Sequence, residues 1–105
     1  MVASKVGPGT PLRTLMAAYL HQDWDVEYSD VWAAVADFVD HAPQCMIAAA
    51  HSELRDLIAQ DLSAAAIEVA LAHYSCAYYP PGDGYTLDGW LRELERRLQV
   101  ALGGS

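Results

Sequence analysis

The sequence is poor in basic residues and has no long apolar run. Its 105 residues include six Lys and Arg against 14 Asp and Glu, which gives a formal net charge of −8. Proteins that bind nucleic acid or anionic membranes through phosphate contacts rely on clustered Lys and Arg, so we expect neither as a partner. The longest stretch without a charged residue, from Val69 to Gly82, is shorter than the roughly 20 residues that a membrane-spanning helix needs.

Cysteine is equally scarce, since the chain has only Cys45 and Cys76. Neither belongs to a CxxC pair or to a Cys-His group at zinc spacing, so we expect no structural metal site. Buried free thiols are the preferred interpretation, and a single disulfide between the two residues stays open as the alternative. No apolar stretch near the N-terminus resembles a secretory signal, which favours a cytoplasmic protein.

Apolar residues recur at helical spacing through most of the chain, which predicts an all-α fold. We expect a compact bundle of about five helices, because no segment alternates long enough to form a strand. Capping residues and prolines mark where the helices begin. The predicted starting positions are Thr10, Ser29 or Asp30, Pro43, Ser63 and Thr86.

The segments between the predicted helices are short. Residues 21–29 mix acidic and aromatic side chains without a helical period, so we predict a structured loop after the first helix. Pro80 to Gly84 contains two prolines and two glycines, which predicts a surface turn. We expect residues 1–9 to be a flexible lead-in, residues 10–102 to form one domain and residues 103–105 to be a tail.

Negative charge is concentrated in one part of the chain. Between Arg13 and Arg55 there are seven Asp and Glu and no Lys or Arg. Segregated charge steers association with an oppositely charged partner, whereas a solvated surface that maintains solubility is the simpler alternative. Trp24, Tyr28 and Trp32 lie among these acids, and aromatic residues among charges are typical of interface hot spots. Packing in the core is the other role open to these aromatic residues.

Catalytic and metal-binding patterns are weak. In an extended segment His21, Asp23 and Asp25 would point to one side, but three candidate ligands without a second cluster are a poor metal signal. The other histidines lie in different predicted helices, and no Gly-rich phosphate loop is present. We therefore predict a protein that is not an enzyme and that uses no metal or cofactor.

Two local patterns together resemble a family of small immunity proteins from bacterial contact-dependent growth inhibition systems. One pattern is Tyr19-Leu20-His21-Gln22-Asp23-Trp24-Asp25 followed by Tyr28. The other is Tyr78-Tyr79-Pro80-Pro81-Gly82-Asp83-Gly84-Tyr85-Thr86 leading into Trp90-Leu91. The resemblance extends over roughly residues 11–100, and its most specific part is the His-Gln-Asp-Trp-Asp segment. The Ala-rich middle helices depart from the family pattern.

The resemblance implies a cytoplasmic antitoxin that binds one copy of the C-terminal toxin domain of a growth-inhibition exoprotein. Such toxins are frequently nucleases with basic clefts, which an acidic protein can occlude. A non-catalytic helical adaptor for another basic protein is the alternative. The motif residues expected to hold the fold are His21, Gln22, Asp23, Trp24 and Trp90. The residues expected to touch the toxin, here called the acidic contact set, are Asp25, Glu27, Tyr28, Asp30, Asp37 and Asp40.

Overall fold

The computed structural model describes residues 11–20, 24–74 and 76–103. Within these ranges the chain forms helices and turns and no strand, so the predicted all-α fold is confirmed. Helix α1 begins as an α-helical turn, Pro11–Thr14, and continues as a π-helical segment, Leu15–Tyr19. The other α-helices are α2 (Trp24–Glu27), α3 (Val31–His41), α4 (Gln44–Ala59), α5 (Ala64–His73) and α6 (Leu87–Ala101).

Three predicted N-caps are present as hydrogen bonds. The side chains of Asp30, Ser63 and Thr86 accept bonds from the backbone amides of Ala33, Ala66 and Gly89, at the starts of α3, α5 and α6. These bonds satisfy amides that the first turn of a helix leaves without a partner. Pro43 occupies the corresponding position before α4 and makes no such bond. The predicted cap at Thr10 lies outside the described residues.

A side chain from another helix supports the start of α1. Glu53 Oε1, on α4, accepts a hydrogen bond of 2.9 Å from the backbone amide of Leu12. Arg13 donates a bond of 2.7 Å to the carbonyl oxygen of His73 at the end of α5. Helix α1 is thus fixed to both α4 and α5 by polar contacts that sequence periodicity did not indicate.

The core lies mainly between α4 and α6, which make the most extensive helix pair. One face of each helix is buried there, and no polar or charged side chain among the described residues is buried with it. Helix α4 contributes Ile47, Ala50, Leu54 and Leu57, and α6 contributes Leu87, Trp90, Leu91, Leu94 and Leu98. None of the helices in the described ranges combines the length and the apolar character of a membrane span.

The structure differs from the sequence-based predictions in three local details. Residues 15–19 form a π-helical segment instead of a regular α-helix. The predicted loop contains a helical turn, α2. Cys45 is exposed instead of buried, because it precedes the inward-facing Ile47 by two positions and so points to the opposite side of α4. Both cysteines are free thiols, and Cys76 is half-buried.

The predicted turn before α6 is a short 3-10 helix, Pro80–Asp83, that ends at Gly84. Gly84 adopts a φ of 87°, in the left-handed region that glycine reaches without a steric penalty. The amide of Gly84 bonds to the carbonyl oxygen of Pro81, and the amide of Tyr85 bonds to that of Pro80. The turn leads directly to Thr86, which caps α6.

Candidate functional site

Helices α2 and α3 carry the acidic contact set. Asp25 and Glu27 are exposed on α2, and Asp30 and Asp40 are exposed at the two ends of α3. At about 100° per residue, Asp40 falls on the side of α3 opposite to the buried Val31 and Phe38. Asp37 lies at the border of the buried face and is half-exposed, and Asp30 precedes the first turn of α3.

Asp37 connects the end of α2 to the end of α3. Its Oδ2 accepts a hydrogen bond of 2.5 Å from the hydroxyl of Tyr28. Its Oδ1 lies 2.8 Å from Nδ1 of His41, which is also 2.9 Å from the Asp37 carbonyl oxygen. Both carboxylate oxygens are engaged within the protein, so Asp37 holds Tyr28 and His41 in place in addition to contributing charge.

These contacts shift the acid-base behaviour of both neighbours. The hydrogen bond to Asp37, followed by partial burial, raises the pKa of Tyr28 to about 12. The bond to the Asp37 carbonyl oxygen, followed by the Asp37 charge, raises the pKa of the exposed His41 above its ordinary value. A protonated His41 places a positive charge beside the acidic contact set, so the net charge of this region depends on pH.

An aromatic cluster brings together the two sequence patterns of the resemblance. The rings of Trp24 and Tyr78 meet edge to face at 5.3 Å, and the ring of Tyr78 lies 5.3 Å from that of the fully buried Trp90. The amide of Ala77 also donates a bond of 2.9 Å to the carbonyl oxygen of Leu20. Trp24 of the first pattern and Tyr78 of the second therefore pack against each other, although more than 50 positions separate them in the chain.

Trp32, on α3, is fixed by contacts on several sides. Its Nε1 donates a bond of 2.9 Å to the hydroxyl of Tyr85, and its ring stacks near Trp90. The guanidinium carbon of Arg97 lies 4.2 Å from the centre of the ring, within the range of a cation–π contact. Trp32 thus joins α3 to α6, which is the packing role that the sequence left open for it.

Acids within α6 compensate its arginines. Arg92 pairs with Asp88 at 2.8 Å, and Glu93 pairs with Arg96 at 2.6 Å and with Arg97 at 2.7 Å. Glu93 and Arg97 are four positions apart, the spacing at which opposite charges meet on one face of a helix. Because these pairs are exposed or partly exposed, they add little stability, but they leave α6 without a strong positive field.

An open groove of about 360 Å³ lies between α3 and α6. Its lining is mostly apolar, with two arginines at the α6 edge. The lining residues are Trp32, Val35, Ala36, Val39, Arg96, Arg97, Val100 and Ala101. Ala36 lies one helical turn before Asp40 on α3, so the groove borders the acidic contact set.

The described part of the chain contains a half-buried histidine–carboxylate contact and no metal-ligand cluster. His51 Nε2, on α4, lies 2.7 Å from Glu95 Oε2 on α6. No group of three or more His, Cys, Asp or Glu within the described ranges could hold a metal ion. Asp25 is exposed on α2, and the other two candidate ligands, His21 and Asp23, lie outside those ranges.

Sequence reasoning did not reveal several roles seen here. The preferred contact residue Asp30 is also the cap of α3, and Asp37 is tied to Tyr28 and His41. Glu53 belongs to the acid-rich stretch in sequence but supports α1 in space. The motif residues His21, Gln22 and Asp23 lie outside the described residues, whereas Trp24 is half-buried and Trp90 is fully buried.

Comparison with known proteins gives a match to a protein family. A family model described as CdiI immunity protein matches residues 10–98, which is most of the chain. No curated protein and no solved structure matches.

Proposed function

Because the chain belongs to the CdiI immunity protein family, we propose that it neutralises the C-terminal toxin domain of a contact-dependent growth inhibition exoprotein. Membership makes the chain a toxin-neutralising immunity protein, and its partner is therefore a cognate toxin protein. The proposal adds the identity of the toxin domain, a 1:1 complex in the cytoplasm and the surface that makes the contact.

The charge of α2 and α3 is the observation that carries the proposal. Residues 24–41 include five Asp and Glu and no Lys or Arg. Such a surface attracts a basic partner and accelerates its association. We propose that the toxin is a nuclease, and a nuclease that binds phosphate does so with a positively charged cleft. We propose that the acidic contact set occupies this cleft in place of the nucleic acid and thereby blocks access to the active site.

The contacts within the protein assign different roles to the members of the acidic contact set. Asp25 and Asp40 are exposed, and their charges face solvent. Asp37 holds Tyr28 through a bond of 2.5 Å, and Asp30 caps α3. We propose that Asp25, Glu27 and Asp40 contribute charge directly to the complex, whereas Asp30 and Asp37 also keep this surface in shape.

An inhibition assay tests the proposal. We expect the gene of an immunity protein to lie directly downstream of the exoprotein gene. The toxin domain encoded there is purified and incubated with labelled RNA, with and without an equimolar amount of this protein. We expect RNA degradation by the toxin alone and its loss in the mixture. In a competition experiment, RNA and this protein should exclude each other from the toxin. Complete inhibition with RNA still bound to the toxin would contradict occlusion of the cleft, and absence of any complex would contradict the proposed partner.

A further inference from the structure

Val26 is the most exposed large hydrophobic residue in the described part of the chain, with 81% of its surface accessible. It lies on α2 between the exposed acids Asp25 and Glu27. A single exposed valine is ordinary on a protein surface and needs no explanation. Val26 differs from an ordinary surface valine because the helical turn that carries it is attached to the rest of the fold at both ends.

The first attachment of this turn is at the start of α2. Trp24 packs edge to face against Tyr78, which is itself almost completely buried. Trp24 is therefore attached to the aromatic cluster that includes Trp90. This contact anchors the first residue of α2 to the core of the domain, while the next residue points to solvent.

The second attachment of this turn is at Tyr28, the residue that follows α2. The amide of Tyr28 donates a bond of 3.0 Å to the carbonyl oxygen of Trp24, which closes the helical turn. The hydroxyl of Tyr28 is bound to Asp37 on α3. The three residues between Trp24 and Tyr28 are thus displayed on a turn with its two ends attached to different parts of the fold.

A surface that is ordered before binding loses less conformational entropy when a partner arrives. We propose that Val26 is the apolar anchor of the toxin contact, an inference that rests on the proposed function. The complementary site on the toxin is an apolar pocket bordered by Lys or Arg. The positive border follows from charge complementarity, because Asp25 and Glu27 flank Val26 and the acid-rich stretch has no Lys or Arg.

The test compares three exposed valines that are changed to the same residue. Val26→Ser removes the proposed anchor. Val69→Ser, on α5, is the matched control, because Val69 is 70% exposed. Val100→Ser, on α6, examines the groove between α3 and α6, where Val100 is 55% exposed. Circular dichroism before and after heating establishes that the variants fold like the wild type.

Binding to the purified upstream toxin domain is measured by calorimetry for each variant. We expect Val26→Ser to weaken the affinity by at least about tenfold, because the substitution removes apolar surface from the contact and places a hydroxyl in an apolar pocket. Val69→Ser and Val100→Ser should stay within about twofold of the wild type, because exposed side chains outside an interface contribute little.

Two results would overturn the anchor while leaving the proposed function intact. One is a Val26→Ser variant that binds as tightly as the wild type. The other is a larger loss for Val100→Ser, which would place the apolar anchor in the groove. Absence of binding by the wild-type protein is a different outcome, since it would overturn the proposed function and with it the anchor.

Discussion

The indole ring of Trp24 and the phenol ring of Tyr78 meet edge to face, with centroids 5.3 Å apart and planes at 85°. The contact joins the two halves of the pattern by which the sequence resembles its family. It also attaches the acidic turn of α2 to the aromatic cluster around Trp90. The shape of the proposed contact surface therefore depends on the core of the domain.

The energy of this contact can be measured with a double-mutant cycle. Trp24→Leu, Tyr78→Leu and the double variant are unfolded in urea and followed by circular dichroism. We expect a coupling of about 0.5–1.5 kcal/mol, the range for paired aromatic rings. As a control cycle, Trp24→Leu is combined with Phe38→Leu, since the ring of Phe38 contacts Tyr19 instead. The control should be additive to within about 0.5 kcal/mol, and equal coupling in both cycles would contradict a specific Trp24–Tyr78 interaction.

Helix positions and their buried faces could be predicted from sequence, because spacing and capping chemistry are local properties. Ser63 and Thr86 cap the helices at which they were expected, and Leu94 and Leu98 face the core. The π-helical segment at Leu15–Tyr19 could not be predicted, because its side chains follow the same apolar spacing as an α-helix.

The candidate site could be predicted only as a set of charges. The sequence showed that Asp25 and Asp40 belong to a stretch rich in Asp and Glu, and the structure places both side chains at the surface. The bond from Tyr28 to Asp37 and the exposure of Val26 depend on how the chain is folded between α2 and α3. No periodicity in the sequence carries that information.

Substitutions of Asp30 can separate its role as the N-cap of α3 from the contribution of its negative charge. Asp30→Ala removes the acceptor for the Ala33 amide and should lower the free energy of unfolding by about 1 kcal/mol. Asp30→Ser keeps a capping oxygen but removes the charge, so it should retain stability and slow toxin association. Urea unfolding and stopped-flow association are measured for both variants. Equal stability losses for alanine and serine would show that the side-chain cap is not what stabilises α3.

Protonation of His41 should modulate toxin association. Its pKa is raised above the ordinary value of 6.5, so its contribution to stability is present below that value and is lost as pH rises through the raised pKa. Loss of the positive charge makes the region around the acidic contact set more negative, and association with a basic toxin should accelerate over the same interval. Nuclear magnetic resonance gives the pKa, and stopped-flow mixing gives the rate.

His41→Gln is the control for this pH dependence, and it should remove the step in the association rate. Asp37→Asn should lower the pKa of His41 only in part, because the bond to the backbone carbonyl oxygen of residue 37 remains. An unchanged pH profile in the His41→Gln variant would assign the step to another group.

The two cysteines should differ in reactivity. Cys45 is exposed on α4, whereas burial raises the pKa of Cys76 to about 11 and leaves it almost entirely protonated at neutral pH. Because the thiolate is the reactive form, a maleimide reagent should label Cys45 first in the folded protein. Mass spectrometry counts the labels, and Cys45→Ser should suppress the fast phase. A fast phase that persists in this variant would contradict the placement of Cys76.

The central claim is that this immunity protein binds its toxin through the acidic contact set, and calorimetric titration with the upstream toxin domain tests it most directly. The measurement compares the wild type, Asp25→Lys and the matched control Glu68→Lys, an exposed acid on α5, each at low and high salt. The account predicts a 1:1 complex that weakens with salt and is weakened far more by Asp25→Lys than by Glu68→Lys. Tight binding that is independent of salt and equal in both variants would contradict it.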